Sequence, residues 1–248
     1  MFVQVDKSQQ YLVLDEKYVS STSIFSTRWL LYCLTQTKPF TRGRILDVGC
    51  GRKPYQTFFP HTEYIGIDWP RNLHDSRPEA YADAQYIPFA AATFDTIICT
   101  EVIEHLPDPS LAIQNMARVL RPGGHLILSA PFVHVLHEEP FDFFRFTPIG
   151  LQHIVQIAGF EVVNAWERGG VLSVLINLWG RYLMGFLRRF LNRLPRRFEP
   201  LLVTPLIRWP QRLAAYWLIN HRKWGGAFFD PVYSLSLGYV LVARRTTD

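Results

Sequence analysis

Cysteine is scarce in this chain. Cys33, Cys50 and Cys99 are the three present among 248 residues, and no two form a C-x-x-C pair. Their odd number and wide spacing exclude a disulfide scaffold and a paired-cysteine zinc module, and they suit a reducing compartment. Charged residues make up only 19%, against 48% apolar. That balance excludes a disordered chain and leaves ample core for one α/β domain of ordinary size. There is no internal repeat and no low-complexity tract. The opening MFVQVDKSQQ lacks a charged-then-apolar signal, so no export signal is expected and the expected location is cytoplasmic.

Acidic residues thin out toward the end. Residues 1–164 carry 13 basic and 17 acidic side chains, a balance of −4; residues 165–248 carry 13 and 4, a balance of +9. Lysine contributes little to this, with 5 residues against 21 arginines. An acidic body with a basic tail region implies chemistry in the first part and contact with something anionic in the second.

Short apolar runs alternate with helical patterns, the signature of βαβ units and a mostly parallel sheet. The expected strands are 44–48, 63–67, 95–99, 125–130, 160–165 and 237–243, with a weaker one at 80–84. A helix is expected from Pro109, capped by Asp108 and ended at Arg121 by Pro122-Gly123-Gly124. Thr147-Pro148 opens the next helix and Gly159 closes it. Residues 18–37, rich in serine and aromatics, form a further helix over the cofactor or acceptor, without chemistry of their own.

The clearest chemistry lies in Ile45-Leu46-Asp47-Val48-Gly49-Cys50-Gly51, a buried strand entering a tight turn of two glycines. Glycine there lets the backbone turn sharply and approach a ligand. Asp68 ends the next strand, 21 residues after Asp47, a spacing suited to both hydroxyls of a ribose. A nicotinamide cofactor fits poorly. The third glycine of G-x-G-x-x-G is missing, Pro54 stands in its place, and the Asp47 carboxylate would repel a pyrophosphate. A nucleoside bearing positive charge fits better, and S-adenosylmethionine has both a sulfonium and an amino group.

ILDVGCG, YIGID, ADAQYIPFAAATFDTI, EVIEHL and ARVLRPGGHLILSAPF follow one another from about residue 43 to 165. In order and spacing they resemble the class I S-adenosylmethionine-dependent methyltransferases, closest to the small-molecule subgroup called methyltransferase type 11. The resemblance implies a Rossmann-like fold, with a mostly parallel seven-stranded sheet and an antiparallel last strand. It implies that Asp47, Gly49 and Gly51 cradle the methionine end of the cofactor and that Asp68 holds the ribose. Asp83 followed by Ala84 accepts from the adenine amino group, and Thr100 and Glu101 line the floor.

Methyl transfer to an alcohol needs the nucleophile about 3 Å from the methyl and a group to take its proton. The segment after the fifth strand, Pro131 to Thr147, is dense in His, carboxylate, Arg and aromatic residues. His137 is the first candidate for a general base. Asp142 or Glu138 would orient it, and Arg145 would pair with Asp142 or bind an anionic acceptor. The plain alternative is a structural Asp142–Arg145 pair and a surface histidine. Glu101, Glu104 and His105 resemble part of a metal site in two other methyltransferase families, which supply a further His where this chain has Phe144. Phe144 cannot coordinate, and His137 could substitute only if its loop folds back, so no metal is assigned.

The domain plan is one methyltransferase domain: 1–42 an N-terminal helical cap, 43–168 the cofactor core, 169–226 a helical insertion and 227–248 the last strand. The insertion is rich in Leu, Trp and Arg. Residues 171–191 hold 14 apolar residues in 21, long enough for about 32 Å of helix, yet Arg181 sits at the middle. Ser173, Asn177, Arg181 and Arg188 share a stripe opposite a wide apolar face. With Arg188, Arg189, Arg193, Arg196, Arg197, Trp179, Trp209, Trp217 and Trp224, this suits peripheral membrane contact through 171–197. The alternative is a lid or dimer face with a solvated Arg side.

The expected function is methylation, at oxygen, of a small and amphiphilic acceptor such as a lipid-linked glycan, an isoprenoid or a quinone precursor. The rivals are an RNA methyltransferase, disfavoured by the Leu and Phe content of the insertion, and a non-catalytic scaffold on the same fold that binds a membrane or partner.

Overall fold

The computed structural model describes residues 24–71, 76–191, 209–220 and 235–247. Described residues 34–166 and 238–247 form one compact unit; described residues 24–33 and 167–237 form another.

The first unit is a seven-stranded sheet with helices. Its strands are β1 (Arg44–Val48), β2 (Glu63–Asp68), β3 (Ala80–Tyr81), β4 (Phe94–Thr100), β5 (Leu120–Pro131), β6 (Phe160–Glu167) and β7 (Gly238–Arg245). Their order across the sheet is β3-β2-β1-β4-β5-β7-β6. β1 pairs in parallel with β2 and β4, and β4 in parallel with β5. β7 runs antiparallel to β5, as the family resemblance implies. β1 and β4 bury nearly every residue, which is why they read as unbroken apolar runs rather than as alternating ones. β3 is shorter than expected, two residues instead of five.

Among the helices, α1 is Ile24–Thr37, α2 Pro109–Val119, α3 Pro148–Ile157, α4 Val171–Leu191 and α5 Trp209–Asn220. The Asp108 carboxylate caps α2 by accepting from the Leu111 amide at 2.9 Å. Ala112, Ile113, Met116 and Ala117 recur at helical spacing and enter the core beneath β4 and β5. Thr147 caps α3 in the same way at the Gly150 amide, and Gly159 leaves it at φ +83°.

The end of α2 differs from the expectation. The helix stops at Val119, and Leu120 to Gly124 already belong to β5. Leu120 is extended, at φ −79° and ψ 141°, and pairs with Phe94 of β4. Sheet pairing thus ends the helix before Pro122 is reached.

In the second unit Arg168 is fully buried and donates to the Ser26 hydroxyl of α1 at 3.2 Å. Of the expected N-terminal helix, residues 18–23 lie outside the described residues, as do Arg193, Arg196, Arg197 and Trp224 of the insertion. The described parts of the insertion are helical. α4 follows the expected span, and α5 approaches it so closely that a side chain at Gly180 would meet Gln211.

On the polar stripe of α4 the early residues turn inward, while Arg189 beside it is exposed and the side chain of Arg188 lies outside the described residues. Ser173 and Asn177 are buried, and burial lowers the pKa of Arg181. Leu175, Trp179, Tyr182 and Phe186, which share the opposite stripe, are all more than half exposed. α5 shows the same arrangement, with Trp209, Leu213, Tyr216 and Trp217 outside and Ala215, Leu218 and Ile219 inside. Among the described residues no helix is long and apolar enough to cross a membrane.

Candidate active site

The turn after β1 is held from β2. Gly49 and Cys50 donate their amides to the Ile67 carbonyl at 2.9 and 3.0 Å, and the Gly51 amide reaches Asp68 Oδ2 at 2.9 Å. Gly49 sits at φ +70°, and a Cβ there would fall on Val102. The chain therefore needs glycine at this point both for the turn and for space. Asp68 Oδ1 accepts from the Trp69 amide at 2.8 Å, so the carboxylate is fixed at the tip of β2.

These groups border a cavity of about 300 Å³ beyond the C-terminal ends of β1, β2 and β4. Crevices at strand ends are where open parallel sheets bind ligands, and this volume lies at the low end for small-molecule sites. Gly49, Gly51, Asp68, Asp83, Ala84 and Glu101, singled out from the sequence, all line it. Trp69, Gln85, Val102, His105, Leu106, Glu138, Phe141 and Phe143 complete much of the wall. The Asp83 carboxylate is held by the Gln85 amide at 2.8 Å and by the Gln85 side chain.

Two expected cofactor residues stand elsewhere. Thr100 is not among the lining residues. Asp47 lies behind the turn, 1% exposed, and takes the Tyr64 hydroxyl at 2.6 Å. Burial pushes its carboxyl up to about 7, partly offset by that hydroxyl.

Glu101 and Glu138 are two of the four non-glycine residues with positive φ among the described residues, at +55° and +54°. Such backbone costs about 1–3 kcal/mol each and concentrates at functional sites. Glu101 is anchored by Ser129, whose hydroxyl donates to Glu101 Oε1 at 2.8 Å.

The loop after β5 brings His137, Asp142 and Arg145 together. Arg145 donates twice to Asp142, at 2.5 and 2.6 Å. The Asp142 side chain is 2% exposed and accepts from His137 at its amide, 3.0 Å, and at Nδ1, 3.2 Å. The hydrogen bonds from Arg145 hold the Asp142 carboxyl well below the usual carboxylate range. Asp142 is thus a carboxylate hydrogen-bonded to His137.

The same loop folds back onto the turn after β4. Phe143 and Phe144 donate their amides to the Glu104 carbonyl at 3.0 and 3.2 Å, and His105 Nδ1 lies 3.0 Å from the Phe141 carbonyl. Phe141 stands edge-on to Trp69 at 5.0 Å and walls the cavity. His105 lines the cavity and His137 stands behind it, with ring centroids 4.7 Å apart. That His105 meets His137 was not legible in the sequence, because a fold-back of thirty-odd residues brings the loop to this turn. The aromatic density of 141–146 was the available signal.

A sequence family described as a methyltransferase domain matches residues 25–168. The chain belongs to this methyltransferase family. An uncharacterized methyltransferase of Mycobacterium sp. (strain JLS) is 37% identical over 105 residues, 38% of this chain and 41% of that protein. A ubiquinone biosynthesis O-methyltransferase of Alkalilimnicola ehrlichii is 32% identical over 128 residues, 46% of this chain and 49% of its own length. The chain thus spans less than half the length of each of these two relatives. Among solved structures, the [4+2]-cyclase SpnF superposes with a TM-score of 0.55 at 19% identity, over 89% of this chain and 82% of the cyclase, which is a likeness of fold.

The cofactor of this family is S-adenosylmethionine, and the residues present fit it. The glycine turn leaves room for close approach, carboxylates line the cavity, and its remaining walls are largely apolar.

Proposed function

We propose that this chain is an S-adenosylmethionine-dependent methyltransferase that methylates an oxygen of a small, amphiphilic acceptor. The observation that carries the reading is the charge of the cavity. Among the described residues the lining carries Asp68, Asp83, Glu101 and Glu138 against one guanidinium, that of Arg71. A phosphate-bearing dinucleotide is repelled by that set, whereas a cationic nucleoside is attracted.

When bound, the cofactor supplies an electrophilic methyl group. Gly49 and Gly51 leave space for its methionine end, with the buried Asp47 carboxyl behind them. Asp68 accepts from the ribose hydroxyls, Asp83 beside Ala84 accepts from the adenine amino group, and Glu101, with Thr100 at the strand end, forms the floor. On the acceptor side, His137 is the general base, positioned by Asp142, which Arg145 clamps. Phe141 and Phe143 exclude water and favour an apolar acceptor body.

The oxygen acceptor is supported by the likeness to a ubiquinone biosynthesis O-methyltransferase. The amphiphilic acceptor, and peripheral contact with a membrane surface, are supported by the exposed aromatic stripes of α4 and α5. A quinone precursor, an isoprenoid or a lipid-linked glycan would each suit.

Calorimetric titration with S-adenosylmethionine and S-adenosylhomocysteine tests the cofactor half. We expect binding with a Kd of about 1–100 μM, weakened at least about 100-fold in Asp68→Ala. A well-folded wild type that binds neither compound refutes the reading. Labelled methyl transfer to lipid extracts and to water-soluble pools then tests the acceptor. Labelling confined to water-soluble acceptors, unaffected by detergent, refutes the amphiphilic part.

A further inference from the structure

We infer that Glu104, His105 and His137 form a binding site for a divalent first-row transition-metal ion at the rim of the cofactor cavity. One ligand atom from each of the three lies within 4.8 Å of the other two. The inference rests on the orientation of the two rings; it leaves the cofactor half of the methyl-transfer reading untouched and replaces His137 as its free base.

Each imidazole has its Nδ1 committed to an oxygen. His105 Nδ1 faces the Phe141 carbonyl at 3.0 Å, and His137 Nδ1 faces the Asp142 carboxylate at 3.2 Å. A carbonyl can only accept. The Asp142 carboxylate takes both Arg145 donors on its two oxygens and is placed to accept from His137 as well. Both Nδ1 atoms therefore carry the proton, and in the neutral rings both Nε2 atoms present lone pairs. A carbonyl or carboxylate on the distal N–H is the arrangement that orients metal-bound histidines and raises their basicity.

The surroundings of His105 Nε2 complete the case. It lies 3.6 Å from Glu104 Oε1 and 3.8 Å from Glu138 Oε2. An ion seated between these groups would meet the Nε2 atom and a carboxylate oxygen from each of the two glutamates. Glu104 is fully buried, so an ion held there is little screened by solvent. Two imidazoles and a carboxylate select an ion of the zinc, iron or manganese class over magnesium or calcium, which prefer all-oxygen shells.

The set differs from the one foreseen in the sequence. Glu101 is engaged by Ser129, and Phe144 stands where the two resembled families carry a histidine. His137 takes part because the Phe143 and Phe144 amides tie the loop to the Glu104 carbonyl. Ligands about 2.1 Å from a tetrahedral ion stand about 3.4 Å apart, so binding draws the three groups together by up to about 1.4 Å. With the ion bound, His137 is its ligand rather than a free base, and the ion stands beside His105 at the cavity wall.

The test is a calorimetric titration of chelator-stripped full-length chain with Zn²⁺ and, separately, Mg²⁺, with Co²⁺ absorption spectra as a second readout. We expect one Zn²⁺ per chain, much weaker Mg²⁺ binding and a Co²⁺ spectrum that reports nitrogen ligands. His105→Ala and His137→Ala should each weaken Zn²⁺ binding at least about 100-fold. Asp142→Asn, which removes the orienting carboxylate, should weaken it about 10–100-fold. Near-UV circular dichroism checks that each variant is folded. A folded wild type with no saturable Zn²⁺ site overturns the inference, as does Zn²⁺ binding that both histidine variants retain. Cofactor binding measured on the same samples separates failure here from failure of the methyl-transfer reading.

Discussion

Burial gives the Asp47 carboxyl the Tyr64 hydroxyl as its partner in place of water and raises its pKa to about 7. An acid raised in this way binds more protons folded than unfolded between about pH 4 and pH 7. Its contribution to stability is therefore full below that window and falls as pH rises through it. In Asp47→Asn, urea unfolding between pH 4.5 and 7 should lose this component, which amounts to at most about 1.4 kcal/mol per pH unit. Asp142, Asp95 and Glu79 have lowered values and act with the opposite sign, losing stability on acidification. They are common to both proteins, so the difference isolates Asp47. An unchanged pH slope in the variant refutes the assignment. That Asp47 is acidic and next to a glycine turn was legible in the sequence. That it stands behind the turn, paired with Tyr64, was not, because the partner comes from a neighbouring strand.

At the scale of elements, two glycines predict opposite outcomes. Gly49 has φ +70° and no room for a Cβ beside Val102. Gly49→Ala should destabilise by more than about 1 kcal/mol and weaken S-adenosylhomocysteine binding, since Val102 lines the cavity. Gly185 lies within α4, exposed, with nothing near its would-be Cβ. Gly185→Ala should leave cofactor binding unchanged and raise stability by about 0.5–1 kcal/mol through helix propensity. Denaturant midpoints of the two variants, measured together, check both signs. Strand positions and helix caps were legible because each follows from local periodicity, glycine and proline. The end of α2 was not, because pairing of Leu120 with Phe94 overrode the local signal at Pro122.

For the whole molecule, the basic last third and the exposed stripes of α4 and α5 lead to one binding prediction. The chain should bind anionic lipid vesicles, weaken as salt is added and keep a salt-resistant part from apolar insertion. Trp179→Ala with Tyr182→Ala should remove most of the salt-resistant part in vesicle co-sedimentation, with little change in Tm because both side chains are exposed. Binding to RNA that collapses steeply with salt, with none to vesicles, would favour the nucleic-acid rival instead.

The sequence by itself determined the strand list, the glycine turn, the acidic residues at strand ends and, through their order, the family. These features are local: each depends on neighbours a few residues away, or on spacing along the chain. Only the tertiary structure decided which side chains converge. It joined His105 to His137 across thirty-two positions, set the Asp142 carboxylate against His137, and turned the aromatic side of α4 outward while burying Ser173 and Asn177. Amphipathic spacing tells that a helix has two faces, but which one meets solvent depends on the packing of the other elements around it.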